Sequence, residues 1–182
     1  MQDFPNIVVV GKRASGKSTF SDYVSGKYGY IILRFSETIK MIAKEKEWFK
    51  PETFDRRILQ DWGLKLKKGN GMDFLAIKTV EKIQPGFKHI FDGARELEEV
   101  NVIKKRTNSY LVYIDADFDV RFQRVNKRDG WTLEEFQKTE EHPVDANIEK
   151  LKDIADYVII NNYLSIYDFY ESIDFFFKNI KS

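Results

Sequence analysis

Residues 6–18 read Asn6-Ile7-Val8-Val9-Val10-Gly11-Lys12-Arg13-Ala14-Ser15-Gly16-Lys17-Ser18. The first five form a mostly β-branched apolar run, which is typical of a strand buried on both faces of a parallel sheet. Residues 11–18 match the pattern G-x-x-x-x-G-K-[ST] at every fixed position. A buried strand, a glycine-containing turn and a helix from Lys17 together predict a loop that binds phosphate groups.

Each fixed position of this loop has a physical task. Glycines let the backbone wrap closely around phosphates, and successive backbone N–H groups form a nest for anions at a positively polarised helix N-terminus. Lys17 is expected to reach the β- and γ-phosphates of ATP, and the Ser18 hydroxyl to ligate Mg²⁺. The residues predicted to contact the nucleotide are Gly11, Ala14, Ser15, Gly16, Lys17, Ser18 and Thr19.

The composition narrows the class of protein. A chain of 182 residues fits one domain, residues 1–182. Its net charge of +1 argues against a dedicated nucleic-acid binder, because such proteins usually carry a basic excess. The chain has no cysteine, which excludes disulfides, thiol catalysis and cysteine-ligated metals.

The sequence also lacks the signals of export or membrane insertion. No basic start is followed by an apolar run, so no signal peptide is visible. No stretch approaches the roughly 20 apolar residues that a spanning helix needs. We therefore expect a soluble, cytoplasmic protein without a membrane partner, and both a monomer and a small homo-oligomer remain open.

Strands alternate with helices along the chain. The predicted strands are residues 6–10, 30–35, 89–91, 110–114 and 157–160. The predicted helices are residues 17–25, 37–48, 73–84, 96–106, 118–127 and 165–180, with a further helical stretch that starts at Pro51. This order predicts right-handed crossovers and a parallel five-stranded sheet covered on both faces, a three-layer α/β/α fold.

Local signals set several expected boundaries. Ser36 and Asp73 are predicted N-caps, because their side chains can accept hydrogen bonds from a first helical turn. The helix that starts at Pro51 is predicted to break around Gly63 and at the Gly69-Asn70-Gly71 turn. Residues 128–148 are polar and rich in glutamate, and we interpret them as a helical lid segment that moves beside the domain.

Three further stretches carry a resemblance to known enzymes. The first is residues 35–40 together with residues 57–63. The second is residues 91–99, with an Asp-x-x-Arg-x-x-x-Glu pattern, and the third combines three arginines, Arg121, Arg124 and Arg128, with residues 155–161. With the phosphate loop, these stretches resemble the P-loop nucleoside monophosphate kinases. Dephospho-CoA kinases and phage-type deoxynucleoside monophosphate kinases are the most similar groups, over nearly the whole chain.

The resemblance implies a P-loop NTPase fold and transfer of the γ-phosphate of ATP, with Mg²⁺, to a (deoxy)nucleoside monophosphate. It implies an acceptor-binding segment at about residues 36–84 and the lid at about residues 128–148. Arg124 would stack on the adenine, Asn161 would lie in the nucleotide site, and Arg128 would reach the phosphates from the lid. Without the resemblance, Arg121, Arg124 and Arg128 would also fit on the solvated face of a helix.

Asp92 and Arg95 follow a predicted strand, where ligand crevices open in α/β sheets. Asp92 is expected to bind Mg²⁺ through water or to accept a proton from the acceptor, and its alternative role is an N-cap. Arg95 is expected to clamp the acceptor phosphate, and its alternative is an ion pair with Glu98 or Glu99. Lys17, Asp92 and Arg128 are thus the candidate catalytic residues, and Ser18 and Asp92 the candidate metal ligands.

The remaining acceptor-site candidates are Arg34, Lys40, Arg57 and Gln60, whose alternative role is that of ordinary solvated side chains. Lys40 stands where adenylate-type kinases usually present arginine, and a lysine lacks the bidentate fork of a guanidinium. Lys12 and Arg13, inside the phosphate loop, are expected to face solvent or the triphosphate.

Three other functions remain open at this point. Dephospho-CoA is an alternative acceptor, because residues 121–161 resemble dephospho-CoA kinases at least as well. A regulatory module that binds and slowly hydrolyses ATP is a second alternative, although it has no need for a second set of phosphate-clamping arginines. A kinase for nucleic-acid ends is disfavoured by the neutral net charge. The final strand is followed by Asn161 and Asn162, not by the guanine-reading Asn-Lys-x-Asp of GTPases.

Overall fold

A computed structural model describes residues 5–48, 56–140, 143–163 and 165–180, without the side chains of residues 56–57 and 143–146. Within these residues, five strands form one sheet: β1 Asn6–Val10, β2 Ile31–Arg34, β3 His89–Asp92, β4 Ser109–Asp115 and β5 Tyr157–Ile160. Their order is β2-β3-β1-β4-β5, and every pairing is parallel. The predicted five-stranded parallel sheet is confirmed.

Helices cover both faces of this sheet. They are α1 Lys17–Tyr28, α2 Phe35–Glu45, α3 Arg56–Asn70, α4 Phe74–Val80, α5 Leu97–Arg106, α6 Phe118–Asp129, α7 Leu133–Glu140, α8 Pro143–Asp153 and α9 Ile166–Asn179. Because the strands are buried on both sides, alternate residues of β1 enter different cores. Val8 and Val10 pack with α2–α5 and α8, whereas Ile7 and Val9 pack with α1 and α9. The fold is the expected three-layer α/β/α arrangement.

The predicted N-cap at Ser36 and the predicted break at Gly63 are wrong, whereas the predicted break at the 69–71 turn is confirmed, because α3 ends at Asn70. Helix α2 begins at Phe35, directly after β2, and Arg34 occupies the N-cap position instead of Ser36. Asp73 lies at the N-cap of α4, but its side chain makes no capping hydrogen bond. Helix α3 continues through Gly63 to Asn70. Each local signal is overridden by packing, since Phe35 is 3 % exposed and Gly63 is buried.

Asp92 is not a helix cap either. Helix α5 begins after Glu96, whose backbone N–H donates to Glu99 Oε2 at 3.1 Å. The Arg95 N–H donates to the same oxygen at 2.7 Å. Glu99 therefore caps α5 and fixes the turn after β3, which leaves the Asp92 carboxylate available for other contacts.

The predicted lid segment is helical and more closely joined to the domain than expected. Phe136 of α7 is fully buried, with its ring centroid 5.2 Å from that of Phe118. Ile148 and Leu151 of α8 belong to the same core as Val8 and Val10. The end of the segment at Ile148 thus packs into the domain and does not lie beside it. Searching the described ranges, we find no helix with the length and hydropathy needed to cross a membrane.

Candidate functional site

The phosphate loop connects β1 to α1 and requires unusual backbone angles. Gly11 and Gly16 have φ values of 146° and 110°, and Ala14 has a φ of 59°. A Cβ atom on Gly11 would lie 2.2 Å from the Ile114 carbonyl oxygen, and one on Gly16 would lie 2.3 Å from Asn161 Nδ2. Both glycines are therefore required by the backbone conformation and by close neighbours.

Lys17 begins α1 and folds back over the loop. Its Nζ donates to the Gly11 and Lys12 carbonyl oxygens, each at 2.7 Å. The Ser18 side chain is exposed beside it, and Ser15 Oγ is buried beneath the loop without a hydrogen-bond partner among the described residues. The ammonium and the hydroxyl thus lie at the mouth of the loop, where phosphate groups would bind.

A cavity of about 880 Å³ opens where β1 and β3 end. It brings together predicted residues from distant parts of the chain: Gly11, Ala14, Gly16, Lys17, Ser18, Thr19, Arg34, Lys40, Gln60, Asp92, Arg95, Arg124, Arg128 and Asn161. Ser15 lies under the loop and does not line this cavity. The side chain of Arg57, the remaining predicted residue, lies outside the described set.

Arg124 and Asn161 brace the phosphate loop from the side of β5. The Asn161 Nδ2 group donates to the Ser15 carbonyl oxygen at 2.7 Å. The Arg124 guanidinium donates to the Asn161 Oδ1 and carbonyl oxygens at 3.1 and 2.9 Å, and to the Ala14 carbonyl oxygen at 3.2 Å. Both side chains therefore shape the loop through its carbonyl groups.

Asp92 ends β3, between β1 and β2 in the sheet, and is 9 % exposed. The Ser21 hydroxyl donates to its Oδ2 atom at 3.3 Å, and Arg34 Nε lies 3.8 Å from the same oxygen. Burial raises the pKa of Asp92, while the positive charges of Lys17 and Arg34 and the Ser21 hydrogen bond partly oppose that rise.

The donor set at this end of the cavity fits Mg²⁺. This ion is usually held by one or two protein oxygens, with water and substrate phosphates supplying the rest. The Ser18 hydroxyl and the Asp92 carboxylate line the same cavity and are hard oxygen donors. Both predicted ligands thus have suitable donor chemistry and line the same cavity.

Arg34, Lys40 and Arg128 also line the cavity, and each has an acidic neighbour. Arg34 Nη2 pairs with Asp22 Oδ1 at 2.5 Å, and Lys40 Nζ lies 4.0 Å from Glu37 Oε1. Arg128 lines the cavity from α6, with its Nη2 atom 2.6 Å from Asp129 Oδ2.

The alternative ion pair between Arg95 and Glu99 is not formed. The Glu99 Oε1 atom instead lies 2.7 Å from Lys67 Nζ, and Oε2 accepts the backbone N–H groups of Arg95 and Glu96. Arg95 also lines the cavity.

Two buried ion pairs beside the cavity were not predicted. Lys67 and Glu99 join α3 to α5, with side chains 9 % and 0 % exposed. Arg121 donates to both oxygens of Glu140 at 2.7 and 2.6 Å and to the Ala116 carbonyl at 3.0 Å. Arg121 and Val125 are four residues apart and therefore lie on the same face of α6. Because Val125 is apolar and buried, this spacing is the sequence feature that could have indicated an inward-facing Arg121.

Lys12 and Arg13 make contacts that were not predicted, although Arg13 also lines the cavity. The Arg13 guanidinium carbon lies 4.5 Å from the Trp131 ring centroid, and Lys12 Nζ lies 3.4 Å from Glu149 Oε1. Trp131 lies between α6 and α7, and Glu149 lies on α8. The phosphate loop is thereby connected to the part of the chain interpreted as the lid, because an arginine packs well on an aromatic face.

Comparison of the sequence with known proteins identifies relatives of this chain. No family model matches the chain. It is 32% identical over 161 residues to a UPF0200 protein of Thermoplasma acidophilum, covering 86% of each chain. It is 29% identical over 177 residues to a UPF0200 protein of Thermoplasma volcanium, covering 94% of this chain and 92% of that one.

Among solved structures, TT1252 from Thermus thermophilus superposes with a TM-score of 0.64 at 18% identity, covering 99% of this chain and 100% of that one. A dephospho-CoA kinase from Campylobacter jejuni gives 0.56 at 18% identity over 97% of each chain. A shikimate kinase from Acinetobacter baumannii, in complex with shikimate, gives 0.58 at 15% identity, covering 98% of this chain and 96% of that one. The fold is that of P-loop kinases, and the resemblance seen in the sequence is confirmed at that level.

Proposed function

The chain belongs to the UPF0200 family, and from this membership and the geometry of its cavity we propose an ATP-dependent kinase that acts on a (deoxy)nucleoside monophosphate. One observation carries the proposal: a single cavity joins the phosphate loop to a second group of cations, Arg34, Lys40 and Arg95. A protein that only bound or hydrolysed ATP would have no need for that second group. The fold shared with small-molecule kinases supports the same reaction type.

Phosphoryl transfer depends mainly on positioning and on neutralising charge. In the proposed reaction, Lys17 exchanges its two loop carbonyls for oxygens of the β- and γ-phosphates. Arg128 approaches the transferred group from α6, and Arg34 and Arg95 hold the acceptor phosphate. Bound Mg²⁺, held through Ser18 and Asp92, would supply further neutralisation of the phosphate charge.

The role of Asp92 differs between the two acceptor classes. A nucleoside monophosphate attacks through a phosphate oxygen that carries no proton at neutral pH. Asp92 would then need only to hold Mg²⁺ and would not act as a base. A hydroxyl acceptor such as dephospho-CoA must lose a proton, and the Asp92 carboxylate at the cavity wall is placed to accept it. This carboxylate is the observation that keeps dephospho-CoA as the second candidate.

A coupled assay with ATP and Mg²⁺ tests the proposal on ribonucleoside and deoxyribonucleoside monophosphates, dephospho-CoA and shikimate. We expect one nucleoside monophosphate to accelerate ADP formation, with the corresponding diphosphate as the product. Phosphorylation of dephospho-CoA alone would favour the second candidate. Phosphate release that no acceptor stimulates would contradict the kinase and indicate a regulatory ATPase.

The pH dependence of the reaction tests the assignment of Asp92. Activity needs the ionised carboxylate, so kcat/KM should fall as the pH falls through the raised pKa of this group. Ser21→Ala removes a hydrogen bond that favours the carboxylate, which raises the pKa further and moves the acid limb to higher pH. The profile of log kcat/KM against pH measures the shift.

Ser25→Ala is the matched control, since Ser25 lies one turn later on the same helix. Its acid limb should coincide with that of the unmodified protein. An acid limb that is identical in the Ser21→Ala and Ser25→Ala variants would show that Asp92 does not control the reaction.

A further inference from the structure

Gly63 lies in the interior of a fifteen-residue helix, α3, where glycine is less favourable than alanine. The helix continues past Gly63 to Asn70, and the residue is buried at the wall of the cavity. Because the backbone is helical at this point, the left-handed conformation that glycine permits is not the reason for it. The small size of glycine, and not its backbone freedom, must therefore account for its presence at this position.

The space in front of Gly63 is part of the acceptor side of the cavity. A Cβ atom at this position would lie 3.3 Å from Ile39 Cδ1 and 3.9 Å from Leu75 Cδ1. We call the region lined by Ile39, Leu59, Gly63, Leu64 and Leu75 the apolar arm. A Cβ atom on residue 63 would press on Ile39 of α2, whose side chain would have to shift within the apolar arm.

The apolar arm has polar groups close to its walls. Lys67 lies one turn after Gly63 on α3 and also lines the cavity. Its ammonium contacts Glu99 at 2.7 Å and carries three N–H donors, so it can bond an additional acceptor atom. Flat apolar faces and a polar edge are the features that such a site would recognise, and a nucleobase has both.

We propose that Gly63 determines which acceptor binds, because its missing side chain lets Ile39 pack close to α3 and so keeps the apolar arm open to the planar base of a nucleoside monophosphate. Lys67 then donates to an acceptor atom on the edge of that base, and Arg34 and Arg95 hold the phosphate. This inference rests on the proposed function, since it takes the apolar arm as part of the acceptor site.

The test is Gly63→Ala, assayed with the nucleotide that the unmodified protein phosphorylates best. The KM for that acceptor should rise about tenfold, the effect of one misplaced methyl group in a binding pocket, while the KM for ATP stays the same. Gly69→Ala is the matched control: Gly69 lies on the same helix, is exposed, and has no atom within 4 Å of an added Cβ. Its KM for the acceptor should not change.

A double variant tests the geometry directly. Ile39→Val removes the Cδ1 atom nearest to the added methyl group, so Gly63→Ala/Ile39→Val should return the KM for the acceptor toward its original value. If glycine served only the packing of α3 against α2, Gly63→Ala would lower the thermal midpoint and leave the KM unchanged, which would overturn the inference.

If the Gly63→Ala variant does not fold, the single variant Ile39→Val tests the same inference. Ile39→Val alone widens the apolar arm and should raise the ratio of kcat/KM for purine over pyrimidine nucleotides by a few-fold, roughly the effect of one methyl group. An unchanged ratio would overturn the inference while leaving the kinase proposal intact. Failure of the unmodified protein to phosphorylate any nucleotide would instead overturn the proposed function.

Discussion

Replacement of Lys17 by methionine is expected to lower kcat/KM for phosphoryl transfer about a thousandfold, or about 4 kcal/mol in the activation barrier. The Lys17 ammonium lies at the mouth of the phosphate loop, held by two loop carbonyls at 2.7 Å. Methionine has a similar length but no charge, so it removes the cation that the transferred phosphate needs. The fold should persist, because each of the two lost hydrogen bonds contributes only about 1 kcal/mol.

Lys12→Met is the control for this experiment. It removes a lysine from the same loop, but one whose Nζ faces Glu149 at 3.4 Å in a partly exposed pair. Such a pair is worth about 1 kcal/mol or less, so most of the activity should remain. Steady-state kinetics and a thermal melt on both variants separate catalysis from folding. Near-normal turnover by the Lys17→Met variant would contradict the assigned role.

Replacement of Arg121 by methionine is expected to destabilise the fold by about 3–5 kcal/mol, the usual cost of removing one partner from a buried ion pair. The side chains of Arg121 and Glu140 are 4% and 14% exposed. Methionine leaves the Glu140 carboxylate buried without its two guanidinium donors and frees the Ala116 carbonyl as well. Urea denaturation at neutral pH measures the loss in the free energy of unfolding.

Two further variants test whether the lower free energy of unfolding comes from the broken ion pair. Lys127→Met changes an exposed cation on the same helix and should alter the free energy of unfolding by about 0.5 kcal/mol or less. Arg121→Met/Glu140→Leu replaces the pair with apolar groups and should recover most of the stability, because no buried charge remains. A loss below about 1 kcal/mol in the single variant would mean that the pair is hydrated in solution.

The sequence predicts best where the physics is local. The phosphate loop can be recognised because each glycine is required by backbone angles within a few residues, and the bounds of β1 agree with the structure residue for residue. The parallel sheet follows from the alternation of strands and helices. These features depend on short-range stereochemistry and on hydrophobic periodicity, both of which are visible in a single chain.

Local rules fail where tertiary packing determines the structure. Ser36 is a good capping residue, but Phe35 belongs to the core and the chain passes from β2 into α2 without a cap. Gly63 is a helix breaker by rule, yet α3 is stabilised by the buried Leu66 and continues. The pairing of Lys67 with Glu99 joins residues far apart in sequence, and nothing near either one indicates its partner.

Lys12 and Arg13 occupy loop positions that the phosphate-binding motif leaves variable, and in this protein they contact Glu149 and Trp131. The same side chains thus belong to two parts of the molecule, which makes the two parts thermodynamically coupled. A nucleotide that favours these contacts by some factor must itself bind more tightly, by that same factor, when they are formed. For the proposed ATP site, coupling of this kind would let a tryptophan and a glutamate outside the loop contribute modestly to nucleotide affinity.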